Sequence, residues 1–180
     1  MTWLRKLLRD DRGSTPIEFV YVFPVVFLIF TVSFESSMFM ARHVMLDRAV
    51  DETIRDIRLG VLRNTSHQDL KRRICSEGIL VDSIDQCMQD MKIWMQPVNT
   101  GNFVMAAPPD NCVDRRQPLN LTEPPANEFA YGTENDIMLM RICLKEDPMF
   151  PTTAITTGMD PEPDGTYALF VTTVFVNEPG

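Results

Sequence analysis

Residues 10 to 35, DDRGSTPIEFVYVFPVVFLIFTVSFE, contain the apolar run that decides the fold of this chain. Sixteen uncharged residues separate Glu18 from Glu35, and counting back to Ser14 gives a segment of 21 residues that only Glu18 interrupts. At about 1.5 Å of helical rise per residue, this segment spans about 31 Å, which is enough to cross the hydrocarbon core of a bilayer. The run therefore predicts a transmembrane helix over residues 14–35.

Basic residues precede the apolar run and set its orientation. Residues 1–13 hold four basic and two acidic side chains, and no small-x-small site of the kind found in cleaved secretory signals follows the run. This pattern is typical of a signal anchor. By the positive-inside rule, residues 1–13 are expected in the cytoplasm and the remainder of the chain on the other side of the membrane.

The charge and the cysteines narrow the class of protein. A net charge of −8 disfavours nucleic-acid binding, because an acidic surface repels phosphates. The four cysteines, Cys75, Cys87, Cys112 and Cys143, lack CxxC or zinc-knuckle spacing and all lie on the outward side, which favours disulfides over a metal site. We favour Cys75 with Cys87 and Cys112 with Cys143, although the sequence leaves all three pairings open.

The helical period continues beyond Glu35 and predicts an amphipathic continuation of the helix over residues 36–60. Its apolar stripe comprises Phe39, Leu46, Val50, Ile54, Ile57 and Val61. Two short helices are predicted next, through HQDLKRRICSE and through DSIDQCMQDMKIWM.

The rest of the chain predicts a small sheet. Residues 97–128 hold six prolines and indicate a loop, with at most a short strand at NFVMA. The segments DIMLMRICLKE and TYALFVTTVFV predict two strands that pair antiparallel through a long connection. Both faces of the last strand are apolar, so we expect the long helix to cover one face and a partner the other. The fold class is therefore α+β, with residues 61–180 as an outer domain stapled by disulfides.

The start of the apolar segment has the layout of a cleavage site. A cut after Gly13 would give Ser14 a new α-ammonium one helical turn from Glu18. A carboxylate in hydrocarbon costs at least about 2.5 kcal/mol, so a nearby ammonium would supply a compensating charge. Pro16 disfavours helical geometry at Thr15, which would leave the Gly13–Ser14 bond extended, and after cleavage Pro16 would lie in the first helical turn.

A basic leader, a glycine, a small polar residue, a glutamate at the fifth mature position and an apolar helix together resemble type IV prepilins. More specifically, RDDRGSTPIEFVYVFPVVFLIF followed by FESSMFMARHVMLDRAVDETIRDIR resembles the TadE/TadF family of minor pseudopilins of the tight-adherence (Flp) pilus system. The resemblance covers residues 9 to about 60. It implies a pilin-like fold, a prepilin-peptidase cut between Gly13 and Ser14, and an assembly role for Glu18. Phe19 departs from the Glu-Tyr pair of the major Flp pilins.

The resemblance also implies partners and a location. The partners would be other pseudopilins of the TadE, TadF and TadG kind, the Flp major pilin, the prepilin peptidase and inner-membrane platform proteins. The chain would cross the bacterial inner membrane once, with its C-terminal domain in the periplasm, and would initiate or tip a pilus used in adhesion. No cofactor is expected. The alternatives are an uncleaved, signal-anchored binding or adhesin domain and a type II secretion or type IVa minor pilin, which Ser14 disfavours because Phe or Met is usual there.

Two further residues of the helix carry hypotheses. Pro24 removes the hydrogen-bond donor to the Val20 carbonyl, so residues 20–24 could either unwind during assembly or only kink. Glu35 is expected to be a solvated residue at the membrane boundary, the alternative being a salt bridge to a neighbouring subunit.

Little in the sequence indicates catalysis or metal binding. Neither histidine accompanies a recognisable nucleophile, HExxH or phosphate-loop motif, so we expect no enzyme activity. The segment DPEPDG at residues 160–165 resembles the start of a calcium loop. However, Val171 stands where the closing glutamate should be, and a solvated turn is the favoured interpretation.

Overall fold

The computed structural model describes residues 14–62, 65–77, 83–102, 105–116, 124–151, 162 and 164–178. Gly13 and the rest of the predicted leader lie outside these residues. The elements in chain order are α1 (Ser14–Arg58), α2 (His67–Ser76), α3 (Ile84–Asp90), β1 (Met91–Pro97), β2 (Ile137–Glu146) and β3 (Tyr167–Val176). The strands form one antiparallel sheet in the order β1-β2-β3. The predicted α+β class, with a long apolar helix, short helices and a small sheet, is confirmed.

Helix α1 is a single rod of 45 residues, about 67 Å long at a rise of about 1.5 Å per residue. It ends at Arg58, close to the predicted end, and Gly60 follows with a φ of 74°, a left-handed conformation that commonly terminates helices. The predicted stripe is buried from Leu46 to Ile57. Val61 is an exception: it lies beyond the helix and is 70 % exposed, while Leu62 packs against the core instead.

The two short helices begin at serine caps, whose hydroxyl oxygens accept backbone N–H groups of Asp69 and Gln86. The predicted helix through DSIDQCMQDMKIWM is wrong in its second half, because α3 ends at Asp90 and the next seven residues form β1. Three alternate side chains of β1 enter the core, and each is paired with a buried residue of β2. These pairs are Met91 with Leu144, Ile93 with Ile142, and Met95 with Met140. Pairing with β2 therefore overrides the local helical pattern.

The two strongest strand predictions are confirmed. β2 and β3 pair antiparallel over ten residues, with Cys143 opposite Phe170, through a long connection. The short strand predicted at NFVMA is not formed over its described part, since residues 105–107 are irregular. β2 pairs with β1 on one side and with β3 on the other, so it is the central strand of the sheet.

The two faces of the sheet are covered differently. Side chains of β2 and β3 such as Ile142 and Leu169 pack with α1 in one core, as predicted for one face. The other face carries Trp94, which is 4 % exposed, and Arg141, whose guanidinium lies 4.6 Å from the centre of the Phe170 ring. Val174 on this face remains 56 % exposed. The end of this face that carries Val174 is therefore uncovered, and its coverage by a partner stays a prediction.

Candidate functional site: the exposed apolar helix and its junction with the outer domain

The first part of α1 is an apolar surface that the rest of the chain does not cover. Its large side chains between Ile17 and Phe30 are 49 to 75 % exposed. In the most apolar 18-residue stretch of α1 only 6 % of the residues are buried, whereas the core helix of a soluble protein would be mostly buried. In length and composition α1 is therefore suited to cross a membrane, and this surface calls for lipid or for other apolar helices.

Glu18 is the one charged side chain on this surface between Pro16 and Phe34. It is exposed and follows the first helical residue, Ser14, by four positions. Helical geometry extends through Thr15, contrary to the expected effect of Pro16, because a proline in the first turn removes no intrahelical hydrogen bond. The Gly13–Ser14 bond lies outside the described residues, so its extended form stays a prediction.

A row of phenylalanines runs beside Glu18. Phe19 and Phe23 have ring centroids 5.2 Å apart, and Phe23 and Phe27 lie 5.8 Å apart. This i,i+4 stacking presents a continuous aromatic edge along the helix. The structure thus places Phe19 at the start of an exposed aromatic row that can pack against lipid or a second helix.

Pro24 lies inside an unbroken α1. Residues 20–24 are helical in this state of the chain. The Val20 carbonyl still lacks its intrahelical donor, because proline has no N–H. Whether the segment unwinds during assembly stays a prediction.

Glu35 is buried, whereas the sequence predicts a solvated residue at the membrane boundary. It is 2 % exposed, and its Oε1 and Oε2 accept the backbone N–H groups of Met149, at 3.2 Å, and Phe150, at 3.0 Å. The ring of Phe34 meets that of Phe150 edge to face, with centroids 6.3 Å apart. Glu35 therefore holds the loop after β2 against α1 through these two hydrogen bonds. Sequence patterns could not find it, because its partners are backbone groups more than 110 residues away.

A buried polar cluster lies further along α1. The Arg42 guanidinium approaches Glu146 at 3.3 Å and donates to the Tyr167 hydroxyl at 2.9 Å. Arg115 binds Asp90 at 2.7 Å and Asp147 at 2.8 Å beside it. Burial raises the pKa of Glu146 to about 7, and the charge of Arg42 opposes that rise. The cluster joins α1 to both ends of the β2–β3 connection.

Glu146 gives the stability of the protein a pH dependence. Its pKa is about 4.5 in the unfolded chain and about 7 when folded, so the folded state binds the proton more tightly between these values. That contribution is fully present below about pH 4.5 and is lost as the pH rises through about 7. One pKa unit corresponds to about 1.4 kcal/mol, so we expect a loss of about 2 kcal/mol between pH 5 and pH 8.

Urea unfolding of the detergent-solubilised protein at the two pH values measures this loss. Glu146→Gln should flatten the dependence, and the exposed Glu134→Gln should leave it unchanged. A wild-type slope that persists in Glu146→Gln would contradict the assignment.

Two disulfides join elements of the C-terminal domain. Cys75 bonds Cys87 with a Cα–Cα distance of 5.9 Å, which joins α2 to α3. Cys112 bonds Cys143 with a Cα–Cα distance of 5.6 Å, which holds the loop of residues 105–116 on β2. These are the two pairs that the sequence favoured among the three combinations.

The acidic turn before β3 binds a lysine. The ammonium of the buried Lys145 lies 2.8 Å from Asp164 and 3.6 Å from Glu162. Although burial acts in the other direction, hydrogen bonds from Lys145 and Thr166 hold the pKa of Asp164 well below its usual range. Asp160 lies outside the described residues. Within the described part of the chain, no group of three or more His, Cys, Asp and Glu side chains is arranged to hold a metal ion.

No protein-family model, curated protein or solved structure matches this chain. The resemblance of residues 9 to 60 to the TadE/TadF family therefore stays a prediction. The described residues thus present an uncovered apolar segment of α1, in which Glu18 is the one carboxylate before Glu35, where the helix joins a disulfide-stapled domain.

Proposed function

We propose that this chain is a minor pseudopilin of the TadE/TadF type, processed by prepilin peptidase and acting in the initiation of a Tad (Flp) pilus. The observation that carries the proposal is the uncovered apolar half of α1, which bears Glu18 four residues after Ser14. A helix with this surface needs lateral partners or lipid, and its single carboxylate gives a lateral partner a point of recognition.

In this mechanism the N-terminal helix packs sideways against other pilin-like helices in the inner membrane. The aromatic row that begins at Phe19 supplies contact area, and Glu18 sets the axial register by pairing with an ammonium. The ammonium belongs to Ser14 of the same chain or of a neighbouring subunit. In either case the cut after Gly13 creates it, so processing and assembly are linked.

The outer domain contributes a second set of contacts in the periplasm. The exposed end of the sheet around Val174 and Val176 would face another pseudopilin or the first Flp pilin subunit. The acidic charge of the chain lies almost wholly on this side of the membrane, so a complementary partner surface would be basic. Platform proteins would contact the cytoplasmic side.

Determination of the N-terminus of the protein purified from membranes tests the proposal. With the peptidase present, we expect a chain that begins at Ser14, and without it a chain that begins at Met1. Gly13→Val should block the cut, because a branched side chain replaces hydrogen beside the scissile bond, whereas Arg12→Lys should leave it intact. A chain that begins at Met1 with and without the peptidase would contradict the pseudopilin mechanism and favour an anchored binding domain.

A further inference from the structure

The loop after β2 lies beside the end of the apolar helix segment. Its residues 147–151, DPMFP, are here called the 147–151 segment. The segment is held against α1 by the two hydrogen bonds from its backbone to Glu35 and by the edge-to-face contact of Phe150 with Phe34. The buried carboxylate thus fixes the position of the segment along the helix axis.

That position coincides with the expected outer boundary of the hydrocarbon. Glu35 follows Ser14 by 21 residues, which corresponds to about 32 Å of helix, and a bilayer core is about 30 Å thick. Atoms within hydrogen-bond distance of Glu35 lie at nearly the same depth. The 147–151 segment is therefore at the level where acyl chains meet headgroups.

The chemistry of the segment suits this level. Met149 is 49 % exposed, Phe150 is half-buried, and Pro148 and Pro151 flank them. Their apolar surface continues that of Phe34, which is 39 % exposed. The opposite end of the segment is polar, since the Asp147 side chain is 74 % exposed and binds Arg115. An apolar tip with a polar base is typical of a segment that inserts shallowly into a membrane interface.

We propose that the 147–151 segment is a second membrane contact, which inserts Met149 and Phe150 into the outer-leaflet interface while Glu35 holds its backbone. We take lipid as the occupant because the apolar tip is continuous with the exposed apolar surface of α1 and lies at the depth where that surface would leave the hydrocarbon. The inference rests on the membrane placement of α1 within the proposed function, and does not depend on pilus assembly. The contact would set the height of the outer domain above the bilayer.

Depth-dependent quenching tests the proposal. All four native cysteines are in disulfides, so a single introduced cysteine can be labelled selectively with an environment-sensitive fluorophore. The full chain, carrying Met149→Cys, is reconstituted into phosphatidylethanolamine and phosphatidylglycerol vesicles that contain lipids with a nitroxide near the headgroup or, in a second preparation, deep in the acyl chains. Phe27→Cys reports the middle of the helix and is read with the deep nitroxide, whereas positions 149 and 174 are read with the headgroup nitroxide. Val174→Cys is the matched control, since it is an exposed apolar site beside Arg55, about 30 Å further along α1.

The label at 149 is expected to be quenched several-fold more strongly than the label at 174, with a blue-shifted emission. Adding Glu35→Ala should reduce quenching at 149 and leave that at 27 unchanged. Equal, weak quenching at 149 and 174 with a quenched label at 27 would overturn the proposal while leaving the membrane anchor in place. Emission at 149 that is blue-shifted but not quenched would assign the surface to a second protein copy. An unquenched label at 27 would overturn the membrane placement itself.

Discussion

Replacement of Cys112 and Cys143 by serine is expected to lower the free energy of unfolding of the outer domain by about 2 to 4 kcal/mol. The bridge joins residues 31 apart in sequence, and it ties an irregular loop to the central strand of the sheet. Both cysteines are buried, so the double variant also places two hydroxyls where there was a disulfide. The loop of residues 105–116 should then separate from the face of the sheet that carries Trp94.

The matched control is the double replacement of Cys75 and Cys87, which are 12 residues apart. In the chain-entropy account of disulfides, the longer separation is worth about 0.8 kcal/mol more. Urea unfolding of the detergent-solubilised protein, carrying Trp3→Phe so that the fluorescence comes from Trp94, measures both variants. A larger loss from the Cys75 and Cys87 pair, or no loss from the Cys112 and Cys143 pair, would contradict this prediction.

Glu18→Ala is expected to reduce co-purification with other pilin-like subunits by tenfold or more, which corresponds to about 1.4 kcal/mol of lost association free energy. The variant removes the carboxylate that is proposed to set register, while α1 keeps its apolar surface. Folding and membrane insertion should be retained, because a carboxylate in hydrocarbon costs at least about 2.5 kcal/mol. Cleavage after Gly13 should also be largely retained.

Three further variants separate charge from shape. Glu18→Gln keeps the size of the side chain and should associate as poorly as alanine, whereas Glu18→Asp should retain part of the association. Val22→Ala, one helical turn away on the same exposed face, removes apolar area without charge and should leave co-purification nearly unchanged. Co-purification of Glu18→Gln at the wild-type level would remove the proposed charge pairing.

The elements that the sequence predicted well are those with strong local patterns. α1 has a long apolar run followed by a helical stripe, and β2 and β3 are rich in β-branched and aromatic residues. The sequence predicts helix across β1 because a helical segment runs directly into it. Its strand geometry depends on pairing with β2, which begins about 40 residues later.

The residues of the candidate site also differ in whether a local sequence pattern reveals them. Glu18 and Phe19 could be singled out because their position relative to the apolar run is itself the signal. Glu35 could not, since a carboxylate that accepts backbone N–H groups leaves no residue pattern in its partners. The charged cluster around Arg42 and Glu146 likewise depends on contacts between distant parts of the chain.

Because α1 is unbroken from Ser14 to Arg58, the uncovered apolar segment and the core helix of the C-terminal domain are one continuous helix. Arg58 lies about 35 Å beyond Glu35 along the axis, so a change of 10° in helix tilt would displace the far end of the sheet by about 6 Å. Hydrophobic mismatch is known to change the tilt of spanning helices. The thickness of the surrounding bilayer would thus determine where this domain holds its exposed sheet edge relative to neighbouring subunits.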